Sequence, residues 1–253
     1  MYDFVDMHCH LDFVDNPTEL VSELKELNVA ALIACVTPTD YFKAINTLKD
    51  FDNVEVGIGL HPWWIADKRI NKDQLDILIE NIDNCKVIGE IGLDFSRRCL
   101  SYDTQDLQLQ AFSVICSKAA VSPTNHILTI HSIAAADKTL QILQDTNCIN
   151  KCKCIYHWFS GSNKELADAI DAGIYFSVNE KTLSTKKWKE YAKVIPLDKI
   201  LLETDMPATY GDAWTSTQEL NSLTNTYNKL SSFNPKITKE LLVRNSLEVL
   251  SHN

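Results

Sequence analysis

The segment VDMHCHLD, residues 5–12, sets two imidazoles two positions apart, His8 and His10. In a β-strand such residues share a face, so both rings can reach one metal ion. Further along, His61 stands in GLHPWW, Glu90 in GEIGLD, His131 at the end of HILTIH, His157 in KCIYHWF, and Glu203 and Asp205 in KILLETD. An acid between two short apolar runs, as Glu90 is, is costly to bury unless it is paired or bound to a cation. Each of these groups alone could satisfy a core hydrogen bond. Three or four imidazoles and two carboxylates gathered in one place would be poorly solvated, and a divalent metal resolves that crowding. Two metals sharing a carboxylate resolve it better, and such pairs activate water against phosphate esters or amides.

The elements that must position these groups read as short β-rich runs alternating with helical patterns. The strand candidates are residues 4–8, 29–36, 54–60, 86–93, 126–131, 153–159, 173–178 and 199–205. Between most of them lie stretches with helix-like spacing, such as PTELVSELKELN, where Leu20, Leu24 and Leu27 repeat at four and three and Thr18 is the expected N-cap. Eight such units in 253 residues fit an α/β fold of the (β/α)8, or TIM barrel, kind. A doubly wound open sheet has the same alternation. The strand ends favour the barrel, where C-terminal strand ends converge on one mouth and the chemistry occurs there. Five of the seven histidines lie at or just beyond such ends, while His126 begins a strand and His252 lies near the tail.

Bulk composition narrows the options. Hydrophobic residues make up 45% and charged residues 23%, which is ordinary for a globular chain. No stretch has the length of apolar sequence that spans a membrane, and the N-terminal residues do not read as a signal peptide, so the expected location is cytoplasmic. The net charge of −10 argues against a broad electrostatic grip on nucleic acid. A small site that supplies its own positive charge stays open. The eight cysteines contain no C-x-x-C pair, which argues against a zinc knuckle. The cluster CINKCKC reads as free thiols in a reducing compartment.

The runs DMHCHLDF, GLHPWW, GEIGLDF, TIHS, HWFSG, AGIYFSV and LLETDMP occur in the order, and at roughly the spacing, found in the TatD family of metal-dependent hydrolases. The resemblance covers nearly the whole chain and is weakest after Pro207. The wording HWFSGS…FSV is most similar to the TatD-like component of the Qat anti-phage systems. It implies an amidohydrolase-like TIM barrel as a single domain over residues 1–253, one or two divalent ions (zinc, magnesium or manganese), DNase activity, and partner proteins from a defence operon. Carried over by position, His8, His10 and Asp205 hold one metal. Glu90 bridges to a second, held also by His131 and His157. His61 contacts substrate near the scissile phosphate, and Glu203 or Asp205 assists proton transfer.

The chain departs from the family at one informative place. Members usually carry an arginine two positions after the strand-five histidine, where its fork would clamp a phosphate; here Ile133 fills that slot. Arg97 and Arg98, just after GLDFS, either compensate from the strand-four loop or are a pair of solvated loop charges. The run KTLSTKKWKEYAK, with Trp188, reads either as a single-strand contact or as a solvated helix with one buried ring. Tyr210 and Trp214 in MPATYGDAW either stack on a base or pack. Three functions follow: a nuclease acting on DNA ends or single strands, a small-molecule hydrolase on the same barrel, or a defence-complex subunit with conditional catalysis.

Overall fold

The computed structural model describes residues 2–67, 72–99 and 102–251. All eight expected strands are present: β1 (Phe4–Cys9), β2 (Val29–Ala34), β3 (Val54–Gly57), β4 (Val87–Asp94), β5 (Ile127–Ile133), β6 (Lys153–His157), β7 (Tyr175–Val178) and β8 (Ile200–Leu202). Helices alternate with them along the chain. The last strand is shorter than its sequence pattern. It stops at Leu202, so Glu203, Thr204 and Asp205 leave the ladder, and Asp205 takes a left-handed backbone at φ 56. Aspartate tolerates that region better than most residues. The chain divides into two compact units, one running to Ile33 and resuming at Lys43–Val56 and Tyr175–Ser251, the other made of Ala34–Phe42 and Gly57–Ile174.

In the first unit β1 pairs in parallel with β2, from Phe4 opposite Val29 to Cys9 opposite Ile33, with a register shift between Asp6 and Cys9. Both faces of β1 are buried, as parallel strands usually are, yet the strand carries Asp6 and His8. The Asp205 N–H donates to the His8 carbonyl at 2.9 Å, and the His10 N–H to the Met206 carbonyl at 2.8 Å. These two bonds lace the end of β1 to the segment after β8. Helix Pro17–Glu26 buries Leu20, Val21 and Leu24, each worth roughly 1.5–3 kcal/mol. Its N-cap is Asn16 rather than the expected Thr18. Pro17 suits the first helical position, which moves the cap one residue before it. Asn16 then accepts from the Glu19 N–H, and the Thr18 hydroxyl donates to Asn16 at 2.8 Å.

In the second unit β4, β5 and β6 run in parallel, with Val87 opposite Ile127 and Ile127 opposite Lys153. The register of β4 shifts between Ile88 and Ile91, on either side of Glu90. The core beneath includes Tyr156, Phe112 and Phe159, all buried. The Tyr156 hydroxyl is satisfied by Thr139 at 2.8 Å and the Ala136 carbonyl at 2.9 Å. Backbone crowds against Glu90 from the side of Gly59. The Leu60 N–H donates to the Glu90 carbonyl at 2.9 Å, and the Glu90 N–H to the Cys35 carbonyl at 3.0 Å. A Cβ on Gly59 would stand 1.8 Å from the Cys35 oxygen and 2.6 Å from the Glu90 nitrogen.

Because both neighbours are backbone, Gly59→Ala cannot be relieved by a rotamer change. The substitution is expected to destabilise the protein by about 3 kcal/mol, the upper end of ordinary overpacking, measured by urea unfolding. Gly173→Ala, where nothing lies within 4 Å of the added carbon and only φ +81 is unfavourable, is expected to cost about 1 kcal/mol.

Candidate metal centre

In the first unit three donors meet at the end of β1. His8 Nε2 lies 3.6 Å and His10 Nε2 3.3 Å from Asp205 Oδ1. Both rings are buried, while the Asp205 side chain keeps 16% exposure. Such spacing is loose for hydrogen bonding, 3.6 Å most of all. Nitrogen and oxygen donors bound tetrahedrally at roughly 2.0–2.2 Å stand about 3.3–3.6 Å apart. The donor set and its spacing therefore fit a divalent ion. His10 stands one residue beyond β1 with a backbone at φ −121 and ψ 47, so strand periodicity does not carry to it, and the two rings meet edge to face at 5.2 Å.

In the second unit the donors gather on Glu90, which is 2% exposed. Its Oε1 lies 2.8 Å from His131 Nδ1, 2.8 Å from His157 Nε2 and 3.0 Å from His61 Nε2. Burial alone would raise this carboxyl, but His61, His157 and His131 outweigh it and hold it well below the usual range. His131 is gripped on both sides, since its Nε2 bonds Asp94 Oδ2 at 3.0 Å. Burial disfavours its charge, yet the Asp94 and Glu90 carboxylates push its pKa up to about 9. A ring whose far nitrogen is held by a carboxylate is the usual support of a metal-ligating histidine.

His61 differs from the other two. As N-cap of helix Pro62–Ala66, its Nδ1 accepts the Trp63 N–H at 3.0 Å. A neutral ring that accepts at Nδ1 carries its proton on Nε2, and that nitrogen faces Glu90. His61 is thus placed as a hydrogen-bond donor rather than a metal ligand.

Sequence reading missed the groups that brace these donors. Asp94 follows Glu90 by four positions on β4, so the two acids share a face; that period-two spacing in GEIGLD was the available signal. Its Oδ1 accepts the Ser96 N–H at 2.8 Å, and the Trp63 indole donates to Oδ2. Asp6 stands in the same relation to His8. Its Oδ1 accepts the N–H groups of His8 at 3.0 Å and Thr204 at 3.2 Å, and the Thr204 hydroxyl donates to Oδ2 at 2.5 Å. Buried Glu219 lies beside it and takes the Trp214 indole N–H at 2.7 Å. Burial and the charge of Asp6 push the Glu219 carboxyl well up. Asp6, Cys9 and Glu219 come close enough to share an ion, but burial keeps the Cys9 thiol protonated and it donates to the Leu32 carbonyl. That trio braces β1 and does not resemble a metal site.

The remaining expected residues are spread around these clusters. Glu203 is buried, with its oxygens taken by the Ser177 hydroxyl and the Asn179 amide. Arg98 is exposed; its guanidinium lies 4.1 Å over the Trp63 ring and bonds Asp67 at 3.1 Å. Arg97 is exposed on the same short turn, and Ile133 ends β5 half-buried. Trp188 is 2% exposed and packs on Tyr191, which is buried as well, so the helix Lys186–Val194 in that basic stretch buries two rings rather than the one expected. Tyr210 is 51% exposed and stacks on Phe13, which stacks in turn on His10. A groove of about 400 Å³ nearby in sequence is lined by Asn179, Lys181, Thr204, Met206, Trp214 and Asn225 among others.

A sequence-family model described as TatD related DNase matches residues 5–251. The human protein named Deoxyribonuclease TATDN3 is 30% identical over 220 residues, spanning 81% of this chain and 78% of its own length. A protein of Buchnera aphidicola named an uncharacterized metal-dependent hydrolase is 28% identical over 214 residues, spanning 80% of this chain and 77% of its own. The crystal structure of a TatD family hydrolase from Entamoeba histolytica superposes with a TM-score of 0.78 at 17% identity, covering 98% of both chains. The fold is therefore the (β/α)8 barrel that the alternation of elements led us to expect.

The bracing role of Asp6 gives a stability prediction. Asp6→Ala leaves two buried N–H groups and a hydroxyl without their acceptor, and each costs roughly 1–3 kcal/mol. A loss of at least about 3 kcal/mol is expected in urea unfolding. Asp6→Asn keeps an acceptor at the Oδ1 position and is expected to lose less than half of that.

Proposed function

The chain belongs to the TatD related DNase family, and on that premise we propose that it is a divalent-metal-dependent phosphodiesterase that cleaves DNA at ends or in single strands. The observation that carries this reading is the pair of donor clusters, His8 with His10 and Asp205, and Glu90 with His131 and His157. We assign these six residues as the metal ligands, and residues 5–251 as one catalytic domain. A divalent ion at such a centre supplies hydroxide at neutral pH and neutralises phosphate charge.

The chain's own groups do the rest. Asp205, the most exposed of the donors, accepts the proton of the attacking water. Glu203, whose oxygens are held by Ser177 and Asn179, supports that segment electrostatically. His61, fixed by the Trp63 N–H at Nδ1, is the residue that contacts substrate near the scissile phosphate. Arg98, fixed over Trp63, supplies positive charge, and Arg97 lies beside it in sequence. The exposed ring of Tyr210 offers a base a stacking surface, which suits unpaired nucleotides. A place among the partner proteins of an anti-phage operon rests on the wording HWFSGS…FSV.

Ile133 favours a second reading, a small-molecule hydrolase with an apolar contact at that point. Hydrolysis of single-stranded DNA, duplex DNA, RNA and small esters with zinc, manganese or magnesium separates the two. Cleavage of single strands above the others is expected; turnover of the esters alone would contradict the proposal. Glu90→Gln keeps the shape and removes the charge. Changing an outer partner of a ligand costs about 10–100-fold, so loss of Glu90 is expected to lower kcat/KM by at least about 100-fold with the circular dichroism unchanged.

Ile133→Arg tests the departure from the family directly. A charge-assisted phosphate contact is worth roughly 1.5–3 kcal/mol. The substitution is expected to lower KM for single-stranded DNA at least about tenfold and to change kcat less, as uniform binding requires. Steady-state kinetics at fixed low salt measures both. An unchanged or raised KM points to the small-molecule reading.

A further inference from the structure

Four thiols meet in the second unit, away from every residue given a role above. Cys116 lies on helix Tyr102–Val121, Cys148 opens a short turn of 3-10 helix, Cys152 follows it, and Cys154 lies on β6. The Cys152 N–H donates to the Cys148 carbonyl at 2.9 Å, which closes the turn. That closure brings the two side chains together, with Cys148 Sγ and Cys152 Sγ 3.5 Å apart. Cys116, Cys148 and Cys154 are buried, whereas Cys152 keeps partial exposure.

The contacts centre on Cys152. The Cys148 thiol donates to its sulfur at 3.5 Å, its own thiol faces the Ala119 carbonyl at 4.0 Å, and the Cys154 thiol faces the Cys152 carbonyl at 3.8 Å. A four-thiolate metal site would need the sulfurs to surround a common point. Among the described residues, the groups of three donors close enough to share an ion do not include these thiols. The Cys148 S–H is aimed at the Cys152 sulfur, and a sulfur that accepts a hydrogen bond carries negative charge more readily than an ordinary one. The arrangement is a buried thiol that donates to a partly exposed sulfur.

We propose that Cys148 and Cys152 form a peroxide-reactive dithiol site. Cys152 loses its proton to solvent, and the Cys148 S–H stabilises the charge on that accessible sulfur. Cys152 then attacks one oxygen of hydrogen peroxide, the O–O bond breaks, and the departing hydroxide takes the proton of Cys148 and leaves as water. Cys152 is now a sulfenic acid, and Cys148 is a thiolate beside it. The Cys148 sulfur attacks the Cys152 sulfur, the S–O bond breaks, and hydroxide leaves. The sum is one thiolate, one thiol and one peroxide giving a disulfide, one water and one hydroxide. Both sulfurs lie on one tight turn, so the S–S distance closes by local adjustment of the two side chains. Two of the other cysteines are engaged elsewhere, Cys9 with the Leu32 carbonyl and Cys85 with Tyr41 and the Asn81 carbonyl.

The test uses the full reduced protein, stoichiometric hydrogen peroxide and differential alkylation read by peptide mass spectrometry. The expected product is a Cys148–Cys152 disulfide, a loss of two hydrogens reversed by dithiothreitol. It should form at least about tenfold faster than any oxidation of Cys9, Cys35, Cys85 or Cys99, since one pKa unit is a tenfold change in thiolate population. In Cys148→Ser the Cys152 sulfenic acid has no thiolate to resolve it, and dimedone should trap it there. In Cys152→Ser dimedone labelling at that position disappears and the fast phase is lost. Circular dichroism on both variants confirms that the fold is retained. Oxidation spread evenly over the cysteines, a fast phase that survives Cys152→Ser, or zinc found bound to these thiols would each overturn the proposal.

Discussion

Glu90 is the constraint on which the second unit depends. A carboxylate with 2% exposure in the middle of a parallel strand would be driven to protonate by burial. It stays ionised because three imidazole nitrogens lie within 3.0 Å of one of its oxygens. The surrounding elements follow from that requirement. Gly59 lets backbone pass against the Glu90 peptide, β5 and β6 deliver His131 and His157, and Asp94 holds the far side of His131. Gly92, at φ +135, lets β4 approach the His131 carbonyl so closely that a Cβ would stand 2.1 Å from its oxygen.

The first unit solves a related problem with backbone. Two imidazoles at the end of β1, His8 in the strand and His10 just beyond it, must be held against a carboxylate on a segment that is no longer strand. Asp6 does this by accepting main-chain N–H groups from both His8 and Thr204. Thr204 precedes Asp205 directly, so the carboxylate that fixes one fixes the other. The protonated neighbour Glu219 spares the pair a second buried charge. Asp205 reaches its position through a left-handed backbone, and its N–H is tied to the His8 carbonyl. Departures from ordinary strand geometry cluster where chemistry is expected.

Much of this was legible in the sequence because periodicity reports directly on which residues share a face. The eight strand runs are of that kind, whereas His10 stands one residue beyond β1. The family resemblance assembled the donors from distant strands, which spacing alone does not do. Other features depended on contacts between elements far apart in sequence. Asp6 and Thr204 are separated by 198 positions, and nothing local marks their bond. Asp94 did share a face with Glu90, but a strand-end aspartate also reads as an ordinary polar exit. Thr18 reads as the N-cap because hydroxyl residues cap well, whereas Pro17 fixes the first turn and moves the cap to Asn16. The tautomer of His61 was beyond sequence entirely, since it follows from a single hydrogen bond to Trp63.

We propose that these two clusters are ligand sets rather than self-contained ion pairs. Crystals grown with zinc, measured at the zinc absorption edge, test it most directly. Anomalous peaks are expected about 2.0–2.2 Å from His10 Nε2 and Asp205 Oδ1 and at the same distance from Glu90 and His131 Nδ1, with the His131–Asp94 bond kept. Crystals that hold no zinc at these residues, with the 2.8 Å contact between Glu90 and His131 intact, would contradict it.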